Sequence, residues 1–247
     1  MPLLFRRARA PEPTAIEVRH GTETFQVALR RRPGVRRLTL RVSSATGQVV
    51  LTLPEHATFA SAKTFAEAHG GWVAARIARV PQRVGFVPGS TVPIRDVPHR
   101  IEHRPGLRLV AKADTGEDGG ALLLVSGLED AVPGRVRRYL TAEAGKDLRV
   151  AVAKHTAALG IPARRIAIRD TKSRWGSCSS TGTLSFSWRL IMAPPLVLDY
   201  LAAHEVAHLK ELNHSHRFWT LLHELCPATD EAERWLKRHG AELHRYG

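Results

Sequence analysis

The chain has 247 residues, enough for one large domain or two small ones with a buried core. Hydrophobic residues make up 43%, yet no run approaches the roughly 20 apolar residues that span a bilayer, which excludes a membrane-spanning helix. The net charge of +14, from 37 Lys and Arg against 23 Asp and Glu, admits nucleic acid or an acidic partner through a basic surface; because the cations are spread along the chain, an Arg-rich composition without a specific partner accounts for it slightly better.

Met1 to Pro11 carries only Leu3, Leu4 and Phe5 as a hydrophobic run before Arg6 and Arg7. That is too short for a signal peptide, so a cytoplasmic location is expected. Ile16 to His20 and Thr24 to Leu29 alternate apolar and polar residues around Gly21. Arg37 to Ser43 and Gln48 to Leu53 flank Ser44-Ala45-Thr46-Gly47 and read as a hairpin ended by Pro54. Phe59, Ala62, Phe65 and Ala66, then Trp72, Val73, Ile77 and Val80, recur at helical spacing, with Gly70-Gly71 between two short helices.

From Phe86 the pattern turns to strands again. Val92 to Ile94, His99 to His103, Leu107 to Ala111 and Ala121 to Val125 are the candidates, with Asp114 to Gly120 as an exposed turn. Ala131 to Leu159 reads as one long helix, with a potential break at Pro133-Gly134 and a stop at Gly160-Ile161-Pro162. Arg165 to Arg169 and Thr183 to Leu190 alternate as strands. Pro194-Pro195 precedes a helix from Leu196 to Leu209, and a last helix covers about Asp230 to Leu243. No internal repeat is visible. The two cysteines, Cys178 and Cys226, are too few for a disulfide framework and read as reduced thiols. The fold class expected is α+β: an N-terminal, mostly β region with short helices over 1–127, and a compact α+β domain over 128–247.

His204-Glu205-Val206-Ala207-His208 is an HExxH pentapeptide. Residues four apart on a helix share one face, so two imidazoles can converge on one tetrahedral zinc ion. Glu205 is offset around the helix and can reach a bound water instead of the metal. Zinc lowers the pKa of such a water to about 7, and Glu205 would accept its proton and pass it to the leaving amine. A chance match on an exposed helix is the bland alternative. Tyr200, Leu201, Val206, Ala207 and Leu209 make this helix apolar on most sides, and buried His and Glu need partners. The third ligand is open between His214, ranked first, then Glu224, then His216; His223 is a further rival. His214 can swing back only if the helix ends first, and Asn213, which tolerates left-handed dihedrals, is the expected place.

Two blocks, Thr171 to Pro194 (TKSRWGSCSSTGTLSFSWRLIMAP) and Asp199 to Trp219 (DYLAAHEVAHLKELNHSHRFW), resemble the YgjP-like metallopeptidase family, gluzincin-like and akin to SprT-like domains. They cover about a fifth of the chain. The resemblance implies a zincin-like domain with a small antiparallel or mixed sheet over an active-site helix. It implies zinc held by His204, His208 and His214, with Glu205 as general base hydrolysing the peptide bonds of a peptide or protein substrate. It also implies an edge strand that adds substrate as a further strand, for which Leu184 to Leu190, with Ser185 and Ser187, is the candidate. Trp175 and Gly176 would begin a turn, Trp175 to Cys178, lining the cleft; a structural turn around a core Trp is the equal alternative. Arg174 could stabilise an oxyanion or merely make an ion pair, and Cys178 touching the metal is a weaker reading. The spacing to His214 matches metzincins, but no Gly follows His208 in their pattern, and both Met1 and Met192 precede the motif, so no Met-turn follows. Two other readings remain: a hydrolase of a non-peptide amide, and, by analogy with SprT-like proteases, a protease acting on DNA-bound proteins.

Overall fold

The computed structural model describes residues 13–43, 46–80 and 82–247. The Met1 to Pro11 segment and the turn residues Ser44 and Ala45 lie outside these. Contacts divide the chain into two compact units, Met1–Val80 and Pro81–Gly247.

In the first unit the period-2 alternation does what it implies. β1 (Ala15–His20) and β2 (Glu23–Arg31) form a hairpin across Gly21, whose φ of 60° suits a residue without a Cβ. β3 (Thr39–Val42) and β4 (Val49–Leu53) form a second hairpin, and β2 pairs with β4 in parallel. Ile16, Val18, Phe25, Val27, Val49, Leu51 and Leu53 point to one side and are buried. They meet Ala62 and Ala66 of α1 (Phe59–Ala68) and Val73 of α2 (Gly70–Ile77). The Thr58 side chain caps α1 by accepting from Ser61 N at 3.1 Å.

The second unit repeats the sheet plan. β5 (Thr91–Ile94) and β6 (Val97–His103) form one hairpin, β7 (Ala111–Thr115) and β8 (Ala121–Val125) another, and β6 pairs with β8 in parallel. The strand expected over Leu107 to Ala111 is displaced to Ala111–Thr115. The turn through Gly116 and Gly119 sets Thr115 opposite Ala121, so the paired residues are those just before it. Leu109 and Val110 stay exposed. The turn Arg95-Asp96 has positive φ at both positions, 52° and 69°, as a two-residue hairpin of the primed type requires. Neither residue is Gly, and the strain is held by Arg95: its guanidinium donates to Asp147 at 2.7 and 2.8 Å and to Glu143 at 2.9 Å.

α3 (Val132–Leu159) follows a 3₁₀ turn and runs unbroken past Pro133-Gly134, because Pro133 sits in the first turn, where its missing N–H has no helical partner anyway. Gly160 ends it at φ 73°. Val132, Val136 and Leu140 share one core with Ile101, Leu123 and Val125. The expected boundary at 127/128 therefore falls inside the second unit, since the β5 to β8 sheet packs on α3.

β9 (Arg165–Arg169), β10 (Gly176–Cys178) and β11 (Thr183–Ser187) form a three-stranded sheet in the order β10-β11-β9. The strand expected to reach Leu190 stops at Ser187. Ser187 accepts from Arg189 N, and Trp188 to Met192 close into a buried 3₁₀ turn. Then come α4 (Pro195–Ala207), α5 (His216–Leu225) and α6 (Thr229–Leu243). The architecture is mixed α+β. Among the described residues no helix is long and apolar enough to cross a membrane.

Arg189 is 4% exposed and its guanidinium donates to Asp170. Burial alone would raise the Asp170 carboxyl, but the hydrogen bond and charge of Arg189 outweigh it and hold it below its ordinary value. Asp170→Asn strands a buried cation. Because the Asp170 side chain is 42% exposed, the expected loss is about 2 kcal/mol, below the range for fully buried pairs. Urea unfolding at neutral pH measures it. A carboxyl depressed on folding stabilises above its unfolded pKa, so the wild type should lose the same increment as pH falls below about 4, and the variant should not.

Candidate metal centre

α4 is apolar on nearly every side, and only one stretch of it carries polar chemistry. Val197, Leu198, Leu201, Ala202, Ala203, Val206 and Ala207 are buried around it. Asp199 ties it to α3, accepting from His155 Nε2 at 2.9 Å and Lys154 Nζ at 3.0 Å. These bonds, led by that from His155, hold the Asp199 carboxyl below its ordinary value despite burial. His204 and His208 lie one turn apart on this fixed helix.

The helix ends at Ala207, earlier than expected, with His208 as its cap (φ −65°, ψ −15°). Leu209 N donates to Val206 O and Lys210 N to Ala207 O, a tightened turn that uses the last carbonyls. Asn213 is not left-handed. Its side chain accepts from Ser215 N at 3.2 Å and shapes the approach to α5. The outcome is nevertheless a chain reversal that returns His214. One ligand atom each from His204, His208 and His214 lies within 4.8 Å of the others, the one such group of His, Cys, Asp and Glu among the described residues. His216, exposed at the start of α5, has its Nδ1 3.4 Å from Thr220 Oγ1. His223 faces Asp230 at 3.8 Å, and Glu224 is exposed. Cys178 is also outside the cluster: its thiol donates to Ser179 O, and burial, then the charge of Glu205, pushes its pKa up.

The donor set fits a metal ion. The Nε2 atoms of His204 and His214 are 3.2 Å apart, and tetrahedral coordination at zinc–nitrogen lengths sets ligand nitrogens about 3.3 Å apart. The Nδ1 atoms of His204 and His208 are engaged elsewhere. His208 Nδ1 donates to Glu211 O at 2.9 Å. His204 Nδ1 lies 3.5 Å from the Tyr200 hydroxyl, which donates to Glu233 Oε1 at 3.2 Å. Burial raises the Tyr200 pKa well above its ordinary value, with Glu233 adding to it, so the hydroxyl keeps its proton. Each arrangement leaves Nε2 as the free lone pair. Burial, then the neighbouring imidazoles, drives His204 down to about 4, and burial also lowers His208; neutral imidazole is the ligating form. Phe218, fully buried on α5, backs all three rings at centroid distances of 4.5 to 5.0 Å.

Glu205 is 4% exposed, and its Oε2 has no hydrogen-bond partner among the described residues. Burial pushes its pKa up to about 7, against a lowering influence from Arg174. Arg174 is exposed and makes no ion pair among the described residues, so the ion-pair reading of it falls away. Gly176 of β10 sits directly on Glu205: a Cβ there would fall 2.7 Å from Glu205 Cγ and 2.8 Å from Cδ.

The family model for the YgjP-like metallopeptidase domain matches residues 36–239. The chain belongs to the YgjP-like metallopeptidase family. Two crystal structures of metallopeptidase zymogens are similar over a smaller part. Abylysin of Pyrococcus abyssi is 22% identical, over 37% of this chain and 93% of that one, with a TM-score of 0.34. Jannalysin of Methanocaldococcus jannaschii is 25% identical, over 37% and 88%, also at 0.34. No curated protein matches.

The remaining expected residues of this YgjP-like metallopeptidase fall out differently. β11 is the central strand of its sheet, paired with β10 on one side and β9 on the other, so it is no edge. Ser187 is fully buried, and Ser185 lies on this doubly paired strand. Trp175 stacks on His244 at 4.7 Å and packs beside Gly240, a structural use. The segment read as a cleft turn contains β10, and β10 is the edge next to Glu205. Tyr200, Glu233 and Phe218 escaped the sequence reading because each looks like an ordinary core or surface residue until α5 and α6 fold against α4.

Proposed function

We propose that this metallopeptidase hydrolyses peptide bonds with zinc held by His204, His208 and His214 and with Glu205 as general base. The observation that carries the reading is the pairing of three convergent imidazoles with a buried carboxylate that has an unpartnered oxygen. When bound, zinc supplies a Lewis acid for the scissile carbonyl and for water. The protein's own groups do the rest. Tyr200 and Glu211 O orient two imidazoles, and Phe218 excludes water behind them. The Glu205 carboxylate accepts a proton from the attacking water and returns it to the leaving amine. Arg174, the exposed cation whose charge reaches Glu205, is the candidate to balance the developing oxyanion. Substrate backbone adds to the free edge of β10, in place of the strand first expected.

The test is cleavage of a peptide library by the full chain, before chelation, after it, and after zinc is restored. Cleavage that disappears and returns supports the reading. Hydrolysis confined to non-peptide amides would shift it to the rival hydrolase.

Gly176→Ala follows from the same geometry. The added Cβ must displace the Glu205 side chain, because that carboxylate is packed in place. The expected result is a loss of about 10²-fold in kcat with zinc content unchanged. Wild-type rates in this variant would mean that Glu205 has another working position.

A further inference from the structure

Six of the 37 Lys and Arg residues meet in one groove. Between α3 and β9 runs a cavity of about 790 Å³, lined by Arg137, Arg138, Lys146 and Arg149 from the helix and by Arg165 and Arg169 from the strand. Among the described residues no carboxylate lines it. Lys146 is neutralised by Glu143 at 2.6 Å, and Arg149 donates to Gly145 O at 2.8 Å. Among the described residues the side chains of Arg138, Arg165 and Arg169 have no ion-pair or hydrogen-bond partner, and all three are exposed. β9 pairs only with β11 there, so its outer edge opens on the groove. This edge is the one away from β10, so the groove is separate from the metal centre.

Helical spacing builds one wall. Arg138, Ala142, Gly145 and Arg149 fall on one face of α3; exposed Ala142 is the small residue beside Arg138, while the Arg149 guanidinium folds over Gly145. Facing rows of like charge repel each other, and a polyanion relieves that repulsion. Its class follows from charge density. Arg138 to Arg149 spans about 16 Å at 1.5 Å per residue. One strand of a duplex places about five phosphates along that length, all on its outside. An extended polypeptide would need every residue acidic to match that number, and alternation would turn about half of them away. Arginine forks also suit phosphate oxygens in pairs. Among the described residues no aromatic side chain lines the groove, so it offers bases no stacking platform.

We propose that the groove between α3 and β9 binds the phosphate backbone of a nucleic acid duplex without regard to sequence. Fluorescence anisotropy of the full chain with two unrelated duplexes of about 20 base pairs, between about 50 and 200 mM NaCl, tests this. Both duplexes should bind alike and weaken steeply with salt. The triple variant R138E, R165E and R169E should bind at least about 30-fold more weakly and lose about three from the salt slope, while cleaving a free peptide like wild type. A control of equal charge, R37E, R41E and R79E, should stay within about threefold of wild type, as those positions lie outside the groove. Should the glutamate triple fold poorly by circular dichroism, the milder R138Q, R165Q and R169Q is expected to lose about tenfold. Absence of binding at low salt overturns the proposal. So does an equal loss in the control, or polyglutamate that competes as tightly through the same three arginines.

Discussion

Glu205→Gln is expected to lower kcat for peptide cleavage by about 10³-fold, within the span that general acid–base groups supply, and to leave zinc content at the wild-type level. The substitution keeps shape and hydrogen-bonding reach but removes the ability to hold and hand on a proton. KM should change little, because the lost interaction belongs to the transition state. The site makes the experiment clean. Glu205 is 4% exposed and pressed against Gly176, so the amide has nowhere else to go. Burial pushes its carboxyl up to about 7, so an uncharged amide of the same shape suits the pocket. A variant that cleaves like wild type would remove Glu205 as the base.

His214→Ala should weaken zinc binding by at least about 10³-fold and abolish cleavage, since two imidazoles on one helix cannot complete a three-ligand site. His208→Ala should do the same. The informative contrast is with the rivals: His216→Ala and Glu224→Ala should bind zinc normally, because neither residue joins the cluster. Tyr200→Phe should fall between, at about tenfold weaker, since it removes the group that orients His204 Nδ1 and leaves the ligand itself. Competition against a chromogenic chelator reads all five. Normal zinc affinity in His214→Ala, with loss in Glu224→Ala, would replace the ligand set.

Much of the fold could be read in the chain because local periodicity was enforced by burial. Ile16 and Val18, or Arg165 to Arg169, alternate because one face meets a core, and the strands fall where the alternation lies. The α4 helix announced itself by being apolar around most of its circumference. Pairing order was not legible. Whether Thr183–Ser187 is an edge or a centre depends on Gly176–Cys178 and Arg165–Arg169 arriving on either side, and neither is local information. The same holds for the repeated sheet plan of β1 to β4 and β5 to β8, which leaves no visible repeat in the residues.

At the site the difference is finer. The reversal that returns His214 was expected at Asn213 through a left-handed residue. Instead the helix stops at Ala207 and tightens, and Asn213 works through its side chain. Both routes satisfy the last carbonyls of α4, and the sequence does not rank them. Tyr200 and Glu233 are 33 positions apart and meet only because α6 packs on α4. The groove arginines likewise come from two elements whose approach no spacing encodes.

The central claim is the ligand set, and X-ray absorption at the zinc edge of the zinc-loaded protein reads it most directly. Three imidazole nitrogens at about 2.0 to 2.1 Å are expected, plus one oxygen, with no sulfur. A sulfur shell at about 2.3 Å would place a cysteine on the metal, and two imidazoles alone would remove one of the three histidines; either contradicts the site built from His204, His208 and His214.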